Sequence, residues 1–169
     1  MNEIDSSFIK ASQILPLIHI LSVIFLVCAQ ICVFLIARIF MNLSSKNQAD
    51  AKDVKFTEIL RYMKRYEQFF ALFLVIVCVS GFFLADGGGF KFSDPMVKGA
   101  IATLWAGAGF ILLNFIYMHY KISSLKRALD AGDELEANEH LIIVVKYFIP
   151  LNIVVTLICV YLGVTVGEF

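Results

Sequence analysis

The chain predicts an all-α fold, a bundle of four transmembrane helices, on three grounds. Four apolar runs, at roughly 17–37, 69–85, 99–117 and 141–164, fill most of its 169 residues. Each is close to the roughly 20 residues that carry a helix across a bilayer core. Hydrophobic residues make up 60% of the chain and mean hydropathy is +0.83, a composition that excludes a soluble globular domain. Only helices and closed barrels satisfy their own backbone in lipid, and runs this long and uniform are helical. The lipid bilayer is therefore the first partner. One integral membrane domain spans 1–169, with no long repeat, low-complexity stretch or second domain.

Each element has its own signals. The polar stretch 1–13 leads to Pro16, which suits the first turn of a helix because its missing N–H costs nothing there. The first run is too long for a signal-peptide core, follows no basic region and ends in Ala37-Arg38, so it reads as an uncleaved span. Residues 42–50, rich in Asn, Ser and Asp, read as a turn. Over 52–68, Phe56, Ile59, Leu60, Met63 and Tyr66 recur at helical spacing, with Lys and Arg on the other side. This predicts an amphipathic extension before the second span, its stripe packed on a neighbour or resting at the headgroups. Asp86-Gly87-Gly88-Gly89 breaks the second helix, and Ser93-Asp94-Pro95 offers a cap and a proline to start the third. The third continues through Arg127 to a break near Ala131-Gly132, after which 134–140 climbs into the fourth span. Pro150 cannot donate to the Lys146 carbonyl and predicts a kink in that span.

Charge placement sets the topology. The 14 basic and 14 acidic residues balance, which gives no reason for a nucleic-acid partner. Arg38, Lys46, Lys52, Lys55, Arg61, Lys64 and Arg65 lie between the first two spans, and Lys121, Lys126 and Arg127 between the last two. The opposite side has only Lys10, Lys91 and Lys98. By the positive-inside rule both long loops, and the 52–68 extension, are cytoplasmic and both termini are outside. The expected location is the plasma (inner) membrane.

Polar residues inside the spans are the functional candidates, because they are costly in lipid. His19 leads. Ser22, Leu26 and Gln30 follow it at +3, +7 and +11, so His19, Ser22 and Gln30 share a stripe that should face the bundle, with Cys28 and Cys32 pointing the other way. Such a histidine is either hydrogen-bonded to another helix or a ligand for metal or haem iron. Met96 lies at a better depth and is the candidate second ligand, whereas His119 and His140 lie a bilayer-depth away, about 30 Å of helix. Lys98 opens the third helix near the His19 level, and on position alone it snorkels to the headgroups. Gly99, Thr103 and Gly107 give the third span a small-residue face that permits close helix approach, and Asn114 extends it. Cys28, Cys32, Cys78 and Cys159 lie within spans at no metal or redox spacing and read as packing residues. No span has a central Asp or Glu, which disfavours a carboxylate-based proton antiporter.

The segment Leu17-Ile18-His19-Ile20-Leu21-Ser22-Val23 resembles the opening helix of HemJ-type protoporphyrinogen oxidases and the related CopD-like membrane domains. The likeness extends to Arg38, the basic stretch Arg61, Lys64 and Arg65, the glycine-rich turn after the second helix, Lys98 and Pro150. It implies that His19 binds haem b and that Lys98 takes part in oxidising protoporphyrinogen IX. The chain also departs from the pattern. Phe25-Leu26-Val27-Cys28-Ala29 replaces the usual tryptophan-glycine stretch, and Tyr147-Phe148-Ile149 precedes Pro150 where a glutamate is usual.

Two readings follow. In the first, the chain is a diverged HemJ/CopD-like protein in which His19 binds haem b, Lys98 contacts a porphyrin propionate and membrane quinone takes the electrons. In the second it is a non-enzymatic scaffold or assembly subunit, as a homo-oligomer or within a larger respiratory or transport complex. The supports for the second are the Gly107 face and the amphipathic 52–66 stripe.

Overall fold

A computed structural model describes residues 3–44, 52–87 and 94–167. Their secondary structure is helical: α1 (Glu3–Ser44), α2 (Lys52–Gly87), α3 (Pro95–Asp130), α4 (Glu134–Ile143) and α5 (Ile149–Gly167), with a π-helical turn, Val144–Phe148, joining the last two. Four stretches are long and apolar enough to cross a membrane, namely Ile14–Met41, Phe56–Gly87, Pro95–Asp130 and Glu134–Thr165. The molecule is thus built as a four-span membrane protein. α1 lies along α2, α3 along α5, and the contacts of α1 with α5 and of α2 with α3 close the ring.

The helix boundaries follow local chemistry. Asp94 caps α3 by accepting from the Met96 N–H at 2.8 Å, with Pro95 in the first turn. α3 ends at Asp130, and the reversal to α4 uses Gly132 at φ +76°, a left-handed conformation that costs a glycine little. Asp133 then caps α4 by accepting from the Glu136 N–H at 3.0 Å. Residues 45–50, Gly88, Gly89 and Ser93, where the sequence suggests turns, lie outside the described residues.

Two expectations change. α1 begins at Glu3, so Pro16 is inside the helix and not in its first turn. A proline there forfeits one backbone bond, to the residue four earlier, and the turns on either side keep theirs. The disruption expected at Pro150 takes the form of the π turn, in which the Ile149 N–H reaches back to the Val144 carbonyl. The wider turn accommodates the proline that follows it.

The apolar stripe of 52–66 is internal: Phe56, Ile59, Met63 and Tyr66 are buried, and Phe56 meets Phe40 of α1 edge-on at 5.7 Å. Phe70 stacks on Phe115 at 5.1 Å, and Ile122, Leu125, Ala137 and Leu141 extend the core toward the Gly132 turn. The other end is much looser. Among the described side chains none in 94–110 or 157–165 is buried. In 14–25 and 75–87 the buried residues are Ser22 and Ser80. The bundle is thus packed at one end and thinly filled at the other.

Candidate ligand site at His19

His19 sits at the thin end, on the α1 stripe that also carries the buried Ser22, Leu26, Gln30, Val33 and Ala37. That stripe faces inward as its spacing predicts. The ring is half-buried against α2. Its Nδ1 lies 2.8 Å from Ser80 Oγ, and that hydroxyl is 2.6 Å from the Ile76 carbonyl. A second carbonyl, of Val77, lies 3.3 Å from the same hydroxyl. A hydroxyl has one hydrogen, and a carbonyl can only accept, so Ser80 donates to the backbone and accepts from His19 Nδ1–H. In that arrangement the neutral ring carries its proton on Nδ1, and the ring also makes a hydrogen bond with the Val77 backbone.

Gly81 eases this docking. A Cβ built there would stand 3.3 Å from His19 Cε1, closer than ordinary packing allows. The Ser80-Gly81 pair on α2 thus supplies both the hydrogen-bond acceptor and the space for an imidazole from α1. Sequence reasoning missed both residues. A small pair at the His19 level in the facing span was the available signal.

Neither of the other sequence candidates is joined to His19. Met96 is 77% exposed on the first turn of α3. Lys98 is half-buried one turn on, its backbone N–H donating to the Asp94 carbonyl at 3.0 Å. No hydrogen bond or ion pair among the described residues links either side chain with the imidazole. No group of three or more His, Cys, Asp or Glu gathers anywhere among the described residues. Haem asks less of the protein, because the macrocycle holds the iron equatorially and the chain supplies axial donors. A ring held against α2 by the Ser80 hydroxyl and by a hydrogen bond with the Val77 backbone would have at most one nitrogen left for that role.

The other histidines are tied elsewhere. His119 Nδ1 lies 3.2 Å from Glu67 Oε1 on α2, an exposed ring on a carboxylate whose side chain is 10% exposed. His140 pairs with Glu136 one turn earlier at 3.3 Å and is largely buried, not a surface residue as expected. The cysteines are free. Cys28 and Cys32 face away from the His19 stripe, as predicted, and line a groove of about 410 Å³ with Tyr62 and Tyr66 of α2.

A second polar group lies deeper. Asn114 of α3 donates to Asn152 Oδ1 of α5 at 2.6 Å and makes a longer contact, 3.4 Å, with the Phe148 carbonyl at the end of the π turn. Thr156 donates to the Asn152 carbonyl at 2.7 Å and accepts from Gln30 Nε2 of α1 at 3.3 Å. Asn114 and Gln30 were visible as intramembrane polar residues. Their partners on α5 were missed, although Asn152 follows Pro150 closely.

Comparison of the chain with protein-family models, with curated proteins and with solved structures gives no match. Functional argument therefore rests on the site itself.

Proposed function

We propose that this protein is a haem b-binding protein of the plasma (inner) membrane, similar to the HemJ and CopD-like types, in which His19 would hold the haem. The observation that carries the reading is the His19–Ser80–Ile76 chain of hydrogen bonds. Histidines that ligate metals characteristically donate their other ring N–H to a fixed acceptor, which sets the tautomer and the ring orientation. Ser80 does this for His19, and Gly81 leaves the room. The thin core around His19 adds support, because a flat macrocycle needs space between helices that a packed end would not leave.

The charge distribution of the sequence supports a topology with both termini outside and both long loops cytoplasmic. In that orientation the 52–68 part of α2 is a cytoplasmic extension, and His19 and Lys98 both belong to the outer half of the bilayer. In the enzymatic form of the proposal, the substrate is protoporphyrinogen IX and the electrons leave to membrane quinone. Haem, when bound, supplies the electron transfer. The chain positions the donor nitrogen and keeps Nδ1 protonated. Lys98 offers a cation to a substrate propionate, and Met96 has no role in this arrangement.

The test is an absorbance spectrum of detergent-purified protein from haem-replete cells, wild type beside His19→Ala. The expected result is a Soret band in the wild type and its loss in the variant. A wild-type sample with no Soret band would overturn the proposal.

A further inference from the structure

The Gln30–Thr156–Asn152–Asn114 cluster shares no residue with the His19 site, and its hydrogen-bond accounts do not close. Gln30 and Asn152 are both 0% exposed, yet Gln30 Oε1 and Asn152 Nδ2 have no partner. In an apolar interior an unpaired amide group carries its full desolvation penalty.

Turning the amides over does not remove the deficit. Thr156 spends its hydrogen on the Asn152 carbonyl, so it can only accept from Gln30. Reversing Gln30 would lose that bond and leave its nitrogen unpaired instead. Reversing Asn152 requires Asn114 to reverse as well, which forfeits the contact with the Phe148 carbonyl and leaves an unpaired oxygen on Asn152. Each arrangement leaves amide atoms on both Gln30 and Asn152 that call for a further partner.

We infer that this cluster encloses an internal water, bound between Gln30 and Asn152 beside the π turn. The chemistry selects it. The two unpaired atoms are one acceptor and one donor, so the ligand must both donate and accept. None of the four side chains is charged, so the ligand is neutral. Both residues are fully buried, so the ligand is small enough to be enclosed. Thr156 Oγ1 keeps a lone pair as a third contact, which brings the partners to the number that buried waters typically use. A second helix-to-helix link, from α1 to α5, then passes through solvent and not through side chains alone.

A crystal structure or electron-microscopy map of the full chain in lipid, at a resolution that shows ordered water, tests this directly. The expected result is a density peak within hydrogen-bonding distance of the Gln30 and Asn152 side-chain amides, in the Asn114-paired arrangement. The near-isosteric Gln30→Met should lose that peak while the helices keep their positions. Either an empty space or a direct Gln30–Asn152 hydrogen bond in the wild-type map would overturn the inference. A peak that persists unchanged in Gln30→Met would overturn the assignment of Gln30 as its holder.

Discussion

The molecule handles buried polarity in two opposite ways. At His19 one ring from α1 meets a Ser-Gly pair on α2, half-buried, at the end where the core is thin. The ring is bonded to the Ser80 hydroxyl and to the Val77 backbone. At Gln30, Asn114, Asn152 and Thr156, four neutral side chains from three helices are buried and bonded to one another. The first arrangement joins two helices through a single ring. The second ties α1, α3 and α5 together and leaves one amide atom each on Gln30 and Asn152 for a further partner. The contrast shows that an ionisable residue in a span and a polar residue in a span are different signals.

Four single variants and one double variant sharpen this contrast. The largest effect is expected from Gly107→Leu. A Cβ at Gly107 already falls 2.5 Å from Cys159 Sγ, so a leucine there requires the thiol to turn away or α3 and α5 to shift. Overpacking of this kind costs about 1–3 kcal/mol, and the thermal midpoint should fall, with the folded fraction at the wild-type midpoint well below half. Asn114→Leu comes next. It strips the partner from Asn152 Oδ1 and should cost about 1–3 kcal/mol, read as a lower denaturation midpoint with an unchanged absorbance spectrum. Adding Asn152→Leu to it should recover part of the loss, because both ends of the bond are then apolar. A double variant no better than the single would show that the cluster acts through packing alone.

Ser80→Ala should behave in the reverse sense. The bond it removes is worth about 0.5–1.5 kcal/mol in stability, but losing the acceptor that orients a ligating imidazole typically weakens metal binding about 10–100-fold. Haem titration should therefore register the change more strongly than melting does. Gly81→Ala is the mildest. Its Cβ asks the ring to give by a few tenths of an ångström, so it should shift the Soret maximum while leaving the melting midpoint close to wild type. Equal effects of Ser80→Ala on melting and on haem affinity would erase the distinction between the two sites.

The fold was readable because its signals are local and strong. Apolar run length located the four spans, Asp94-Pro95 the start of α3, and Ala131-Gly132 the turn after it. Helical spacing also placed His19, Ser22 and Gln30 on one inward stripe. The partners were not readable. Ser80 lies 61 residues from His19 and Thr156 lies 126 from Gln30, and no periodicity within a helix says which neighbour it will face. The Gly107 face and the stripe of 52–66 were recognised as packing surfaces, but their occupants proved to be this chain's own Cys159 and Phe40. Hydropathy also said nothing about the thin end, since lipid-facing and cavity-facing residues are equally apolar.

The π turn has a consequence for everything downstream of it. A helix advances about 100° per residue, and a turn closed one residue late re-phases all that follows by roughly that angle. Val144–Phe148 thereby sets the rotation of α5. An uninterrupted α-helix over the same residues would swing Asn152 and Thr156 away from Asn114 and Gln30, toward the acyl chains. The five-residue irregularity is what aims the fourth span's polar edge at its neighbours.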